Sequence, residues 1–127
     1  MPSKQDVMHI RSEPAILRKL RRRIIKTFMD IIIMKELNNG NPMSGYDVIR
    51  FIHRKHNLLM SSGTVYSFLY SLERNGLIKG QSTRRKKVYK LTARGEETVK
   101  TVLNVQEKIQ RIVTNMLAPQ QLSEISG

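Results

Sequence analysis

Residues 61–95 constrain the fold most, because a helical pattern is followed at once by a hairpin pattern. Residues 62–74 repeat apolar side chains at the spacing of one helical face, and Gly76 marks the end of that helix. Two short strand-like runs follow, at 77–79 and 88–91, joined by a loop rich in Arg and Lys. The predicted buried stripe of the helix consists of Val65, Phe68, Leu69 and Leu72. The stretch therefore predicts an amphipathic helix that leads directly into a two-stranded hairpin with a basic tip.

A longer helical pattern precedes this stretch, at residues 12–38. Pro14 is tolerated in a first helical turn, and Asn38 begins a stop signal. The first half of the pattern is strongly basic and the second half strongly apolar, so we expect an exposed start, a buried end and a break near Arg23. The apolar positions at helical spacing are Leu17, Leu20, Ile24, Phe28, Ile31 and Ile32.

A second helix is predicted from Ser44 to His56. Ser44 and Asp47 have the spacing of a capping box, in which each side chain binds a backbone N–H of the first turn. The residues predicted to face the core are Tyr46, Val48, Ile49 and Ile52. For the next helix, at residues 62–74, either Ser61 or Ser62 can serve as the N-cap.

The C-terminal pattern predicts one long helix that begins after Thr92 and ends at residues 118–119. Its apolar residues alternate in steps of three and four, which is the seam of a coiled-coil pair. The seam consists of Val102, Val105, Ile109, Ile112 and Met116. A second apolar stripe beside the seam makes this helix too apolar to stand alone in water.

The net charge of +13, from 23 basic and 10 acidic residues, is concentrated in two segments. Residues 4–26 carry eight basic and two acidic side chains, a net charge of +6, and residues 79–90 carry six basic side chains and no acid. Two basic patches on a nearly neutral body indicate a polyanionic partner, and we expect double-stranded DNA.

Together these patterns predict a mainly α (α+β) chain with a winged helix-turn-helix, a two-stranded wing and a long C-terminal dimerisation helix. We expect residues 1–11 to be a flexible arm and residues 12–92 to be the DNA-binding domain. Residues 93–118 would form the dimerisation helix, and residues 119–127 a polar tail.

The predicted DNA-binding residues lie on the third helix and at the hairpin tip. The helix carries short or rigid hydroxyl side chains, which can bind base edges or phosphates. These candidates are Ser62, Thr64, Tyr66, Ser67, Tyr70 and Ser71 on the helix, and Arg84, Arg85, Lys86 and Lys87 at the tip. Further phosphate contacts are predicted from Arg18, Lys19, Arg21, Arg22 and Arg23.

Other classes of function find little support in the sequence. There is no Cys, and His53 and His56 lack further ligands, so we expect no metal site and no cofactor. No nucleophile and base are spaced as a catalytic group, so we expect no enzyme. No apolar run approaches the length of a membrane span, and we expect a cytoplasmic protein without a membrane partner.

Four segments, at residues 41–49, 62–66, 72–78 and 85–95, together resemble the PadR family of winged-helix transcriptional regulators. In order and spacing they are similar to the family's proline-x-x-glycine-tyrosine, glycine-threonine-x-tyrosine, glutamate-x-x-glycine-leucine-isoleucine and arginine-lysine-tyrosine-tyrosine-x-leucine-threonine-x-x-glycine patterns. The resemblance covers about residues 28–117. Ser67 stands where many members have proline, and Val88 replaces the first tyrosine of the wing strand.

The resemblance implies a homodimer that is held by the C-terminal helix, binds pseudo-palindromic operators and usually represses. It places the recognition positions on Ser62, Thr64, Tyr66 and Ser67, and the wing on residues 84–87. Whether a small-molecule effector exists stays open.

Two alternatives to a sequence-specific regulator also remain open. An architectural protein that coats DNA would account for the large charge excess and for the lack of long hydrogen-bonding side chains on the third helix. A winged-helix module that docks its basic wing on an acidic protein is the second alternative.

Overall fold

The computed structural model describes residues 12–120. The predicted arm at residues 1–11, and residues 121–127 of the predicted polar tail, lie outside the described residues. In chain order the elements are α1 (Ala15–Thr27), α2 (Met29–Leu37), β1 (Met43–Ser44), α3 (Gly45–His56), α4 (Ser62–Arg74), β2 (Ile78–Ser82), β3 (Lys87–Leu91), α5 (Ala93–Asn104) and α6 (Gln106–Leu117). The predicted mainly helical, winged-helix architecture is confirmed.

The wing belongs to a three-stranded antiparallel sheet in the order β1–β3–β2. Gly80 of β2 and Met43 of β1 both lie opposite Tyr89 of β3. The predicted hairpin is present, although β2 begins one residue later than expected and extends to Ser82. Strand β1 was not predicted, because two residues are too few to show an alternating pattern.

The core lies where α2, α3, α4, α5 and the sheet meet. All four residues of the predicted stripe on α4 turn inward, with Val65, Leu69 and Leu72 buried and Phe68 packed against them. The other buried apolar residues are Met29, Ile33, Met34, Leu37, Val48, Phe51, Ile52, Leu58, Met60, Ile78, Tyr89 and Val99. Burial of each large side chain contributes about 1.5–3 kcal/mol, so the core fixes α4 against the rest of the domain.

The first predicted helix is divided at Phe28 rather than near Arg23, so the predicted position of the break was wrong. Phe28 has φ −99° and ψ 15°, outside helical values, and it separates α1 from α2. The two helices have different environments, because Met29 and Ile33 are buried in the core whereas no residue of α1 is fully buried. The exposed apolar residues of α1 are Ile16, Leu17, Leu20 and Ile24.

The C-terminal helix is likewise two helices, and the prediction of one continuous helix was wrong. The break is at Val105, with φ −107° and ψ 11°. Helix α5 belongs to the domain core through Val99, which is 2% exposed. On α6, by contrast, Ile112 and Met116 of the predicted seam are 59% and 69% exposed. The remaining seam residues, Val102, Val105 and Ile109, are half-buried.

The prediction that Tyr46 faces the core was also wrong, since its side chain is 63% exposed. Tyr46 and Val48 are two residues apart, about 200° around the helix, so the burial of Val48 turns Tyr46 outward. The Arg50 guanidinium carbon lies 5.8 Å from the centroid of the Tyr46 ring. Phe51, which was not predicted, takes a core position on α3.

Helix α3 begins with the predicted capping box. The Ser44 hydroxyl accepts a hydrogen bond from the Asp47 N–H at 3.1 Å, and the Asp47 carboxylate accepts one from the Ser44 N–H at 2.9 Å. The bond from the Ser44 N–H lowers the pKa of Asp47, and the Ser44 hydroxyl adds to this shift while partial burial opposes it. The ionised carboxylate therefore stabilises the start of α3.

Replacing Asp47 by asparagine is expected to lower the free energy of unfolding at pH 7 by about 0.3–1 kcal/mol. The amide oxygen still accepts the Ser44 N–H, but the negative charge at the helix start is lost. Because the pKa of Asp47 is lower in the folded state, this stability is present above the ordinary Asp pKa and is lost as the pH falls through the folded value. Urea unfolding at pH 7 and pH 3 measures the difference, and a constant difference would contradict the assignment.

Among residues 12–120, no helix combines the length and apolar character needed to cross a membrane.

Candidate nucleic-acid interface

Helix α4 is held at both ends by local hydrogen bonds. At its start the Ser61 hydroxyl accepts the Thr64 N–H at 3.2 Å, so Ser61, and not Ser62, is the N-cap. At its end Gly76 has φ +75°, a left-handed conformation that glycine adopts without strain. The Gly76 N–H donates to the Glu73 carbonyl and the Leu77 N–H to the Leu72 carbonyl, both at 3.0 Å, which is a Schellman motif.

The polar face of α4 is open to solvent. All six predicted DNA-binding side chains on this helix are exposed. The Thr64 hydroxyl lies 2.8 Å from the Ser61 hydroxyl, so these two groups act as a pair. A Cβ placed at Gly63, in the first turn, would have no neighbour within 4 Å. The backbone of this turn is therefore accessible for close approach by a ligand, in the middle of the hydroxyl-bearing face.

Tyr66 differs from the other candidates because its ring is also a packing element. The ring lies against Gly45, the first residue of α3, where a Cβ would come within 2.6 Å of the ring carbon Cε1. Gly45 is buried, whereas Tyr66 is 48% exposed. Tyr66 therefore packs α4 against the start of α3, while about half of its surface stays open to solvent.

The wing tip is a closed turn that carries three exposed cations. The Thr83 N–H and hydroxyl both donate to the Lys86 carbonyl, at 2.7 and 2.8 Å. This turn presents Arg84, Arg85 and Lys86 to solvent. Lys87, the fourth predicted tip residue, is instead the first residue of β3. We call the three exposed cations the wing tip.

Lys87 is engaged with other residues of the domain. Its amine donates to the Glu73 carboxylate at 3.0 Å and lies 5.4 Å from the centroid of the Tyr89 ring. The ion pair raises the pKa of Lys87, and the adjacent Gly80 N–H, followed by Lys87, lowers the pKa of Glu73. Both side chains are therefore charged at neutral pH.

Four of the five basic residues predicted on α1 share one groove, and the fifth, Arg21, forms an ion pair. Arg21 forms a bidentate ion pair with the buried Glu13, and Arg18 donates to the Glu13 carbonyl at 2.9 Å. Arg18, Lys19, Arg22 and Arg23, together with Lys26, line one groove along α1. Arg22 and Lys26 also line a cleft beside α4, so the structure brings four of the five predicted residues, all but Arg21, to one basic surface.

This cleft lies between α1, the end of α3 and the start of α4 and has a volume of about 490 Å³. Its polar lining residues are Arg22, Lys26, His53, Asn57, Ser61 and Thr64. Lys26 follows Arg22 by four residues, a spacing that places both on one helical face, so the sequence contained a signal for Lys26. His53 joins the cleft because the end of α3 borders it opposite α1, which no local pattern indicates. The cleft extends the basic surface from α1 to the first turn of α4.

His56 adds no charge to this surface at neutral pH. Its ring packs edge-on against Phe51, with the centroids 5.9 Å apart. Burial lowers the pKa of His56, and the charges of Lys55 and Lys35 lower it further. Within residues 12–120, no cluster of three or more His, Cys, Asp or Glu side chains could hold a metal ion.

The fold that carries α4, the wing tip and the α1 cleft has known relatives. A family model described as the transcriptional regulator PadR-like family matches residues 33–101, which is more than half of the chain. No curated protein sequence matches at a significant level. The match lies within the range of the resemblance seen in the sequence, and the predicted family is confirmed.

Solved structures with the same fold include several transcriptional regulators. One from Clostridium thermocellum is 25% identical, with a TM-score of 0.65 over 76% of this chain and 96% of its own. A PadR family regulator from Clostridium difficile is 23% identical, with a TM-score of 0.62 over 72% of this chain and 99% of its own. Bacillus subtilis PadR, in complex with operator DNA, is 23% identical, with a TM-score of 0.54 over 59% of this chain and 46% of its own.

Proposed function

The chain belongs to the PadR-like family of transcriptional regulators, and from that membership we propose that it is a sequence-specific repressor in the cytoplasm. It binds pseudo-palindromic operators in double-stranded DNA as a homodimer. The observation that carries this proposal is the open, hydroxyl-bearing face of α4 between two basic surfaces, the wing tip and the α1 cleft. Bacillus subtilis PadR, which shares the fold, binds operator DNA.

In this proposal α4 enters the major groove, whose width admits an α-helix. The short side chains of Ser62, Thr64 and Ser67 bring the helix backbone close to the base edges. Their hydroxyls donate to or accept from bases and phosphates, and the Thr64 methyl group can contact a thymine methyl. Tyr70 and Ser71, one turn further along, reach the flanking sugar-phosphate backbone.

The basic surfaces supply affinity that does not depend on sequence. Arg84, Arg85 and Lys86 bind phosphates beside the groove, or enter the adjacent minor groove. Arg22 and Lys26 extend the same contact on the other side of α4, where the cleft meets its first turn. Each neutralised phosphate releases condensed counterions, so DNA affinity falls as salt rises.

The homodimer is supported by apolar surface that the single chain leaves exposed. The exposed apolar residues of α5 and α6 are Leu103, Ile112, Val113, Met116 and Leu117. A second exposed stripe runs along α1 through Leu17, Leu20 and Ile24. Exposed apolar surfaces of this kind are typical of protein–protein interfaces. Two-fold symmetry then predicts half-sites about one DNA turn, ~34 Å, apart, or a multiple of that distance.

Selection of bound fragments from genomic DNA tests the function directly. We expect the selected sequence to be pseudo-palindromic and to bind ~10³-fold or more tightly than a random duplex of equal length at the same salt concentration. A ratio near one would instead favour a protein that coats DNA. Failure to bind any duplex at low salt would favour a protein-interaction module that uses its basic wing on an acidic partner.

A further inference from the structure

Glu73, in the last turn of α4, is bonded to both strands of the wing hairpin. One carboxylate oxygen accepts the Gly80 N–H of β2 at 2.6 Å, and the other accepts the Lys87 amine of β3 at 3.0 Å. A single side chain thus connects the recognition helix to the hairpin that carries the wing tip. The contact joins residues that are seven and fourteen positions apart in the sequence.

The surroundings of Glu73 are shaped for this contact. Within the described sheet β2 is an edge strand, so its outward N–H groups need partners other than a strand, and Glu73 accepts one of them. Gly80 leaves the necessary space, since a Cβ there would lie 2.8 Å from the Glu73 carboxylate and would collide with the Lys87 side chain. On its other side, the Lys87 amine lies over the buried Tyr89 ring.

We propose that Glu73, Gly80 and Lys87 form a clasp that positions the wing relative to the recognition helix, and that Lys87 serves this clasp instead of a DNA phosphate. Glu73 is then a positioning residue for DNA binding. The inference rests on the proposed function, because it concerns how two DNA-binding elements are held together. It also reassigns a lysine that the sequence places in a run of four like charges.

The physical benefit of the clasp is preorganisation. The wing tip and α4 must meet the DNA at the same time, and ordering a mobile hairpin during binding reduces affinity. A hairpin already fixed to the recognition helix avoids that loss. Since the Gly80 N–H and Lys87 both favour the ionised form of Glu73, the clasp persists at neutral pH.

The clasp can be tested without DNA by hydrogen exchange at the Gly80 amide. In Glu73→Ala the amide loses its acceptor, and we expect its exchange to be at least ~10-fold faster than in the wild type. In Glu73→Gln the side-chain oxygen still accepts this N–H, so exchange stays close to the wild-type rate. Equal exchange in the wild type and Glu73→Ala would overturn the clasp, whether or not the protein binds an operator.

The role of Lys87 is tested by the salt dependence of operator binding, with Lys86→Met as the matched control. Lys86 is the neighbouring lysine, exposed at the tip, and its replacement is expected to reduce the log–log salt slope of the dimer by about 1.8, from 0.9 per phosphate. For Lys87→Met we expect an unchanged slope and a loss of affinity of about 2–30-fold, the effect of two exposed ion pairs. A slope reduced by about 1.8 would make Lys87 a phosphate contact and overturn the reassignment.

A double-mutant cycle separates the clasp from two independent effects. If Glu73 and Lys87 act together, the Glu73→Gln and Lys87→Met double variant binds the operator about as well as either single variant. Independent roles would make the two losses multiply, which would contradict the proposal. If the wild type binds no duplex at all, the proposed function fails, whereas the exchange rate of Gly80 still decides whether the clasp exists.

Discussion

Replacing Arg84, Arg85 and Lys86 together by alanine is expected to reduce operator affinity by about 10⁴-fold at 0.15 M salt. Each dimer would lose six phosphate contacts, and at 0.9 per phosphate the log–log salt slope would become shallower by about 5.4. The expected loss assumes that the variant and the wild type bind the operator equally at ~1 M salt. The difference in slope then separates their affinities as the salt concentration falls to ~0.15 M. Titration of a labelled operator at several salt concentrations measures both quantities.

The control variant removes the same charge from a different surface. Lys35, Lys100 and Arg111 are exposed helical residues outside the proposed interface, and alanine is compatible with a helix at each. Their triple replacement is expected to leave the salt slope within about one unit of the wild-type value. An equally shallow slope in the control would show that net charge, and not the wing tip, governs affinity.

The affinity of the wing-tip variant can also be compared between the operator and a random DNA duplex. Because the wing tip is proposed to bind phosphates, its removal should weaken binding to random and operator DNA by similar factors, and the ratio between the two affinities should be preserved. A large fall in that ratio would mean that the tip reads base edges, most simply through an arginine in the minor groove.

Local signals in the sequence were sufficient for the elements that carry them. The capping box of Ser44 and Asp47 and the glycine at position 76 each fix a helix end through bonds among neighbours in the chain, and both are present in the structure. The stripe on α4 was also predicted fully, because a four-residue apolar face leaves one way to pack that helix. These features depend on spacing alone.

The helix boundaries were predicted wrongly where a helical pattern continues through a change of environment. The apolar spacing of residues 12–38 is nearly continuous, yet the backbone departs from helical angles at Phe28, where exposed α1 gives way to buried α2. The same happens at Val105, between a helix packed on the core and an exposed one. Apolar periodicity shows which residues share one face of a helix. It does not show whether that face packs against the core or is exposed to solvent.

Residues of the site could be predicted from the sequence, but the contacts between them could not. All six hydroxyl-bearing candidates on α4 are exposed, as their positions around the helix require. The pairing of Lys87 with Glu73 could not be seen, because it depends on the register of β2 against β3 and on the angle between the hairpin and α4. The meeting of Arg22 with Thr64 across the cleft depends in the same way on the packing of α1.

Replacing Ile112 and Met116 together by glutamate is expected to convert the dimer to monomers and to reduce operator affinity by ~10²–10⁴-fold. Both side chains are exposed in the single chain, so the change should leave the fold of the domain intact. In the proposed dimer they are covered by a second copy, where unpaired carboxylates are strongly unfavourable. Sedimentation gives the mass in solution, and circular dichroism verifies the helical content.

The matched control places the same two charges on the opposite side of α6. Gln110 and Thr114 are exposed and lie about half a turn away from Ile112 and Met116, beside Val113 and Leu117, so their replacement by glutamate should disturb the dimer less than the replacement of Ile112 and Met116. If the Ile112 and Met116 variant stays dimeric, the predicted seam is not the interface, and the exposed stripe of α1 becomes the surface that holds the two copies. If it becomes monomeric but keeps full operator affinity, one domain is sufficient for recognition and the two-fold operator is wrong. If the monomeric variant binds an isolated half-site and gains no affinity when the second half-site is added, the result would support two-fold recognition by the two α4 helices of the dimer.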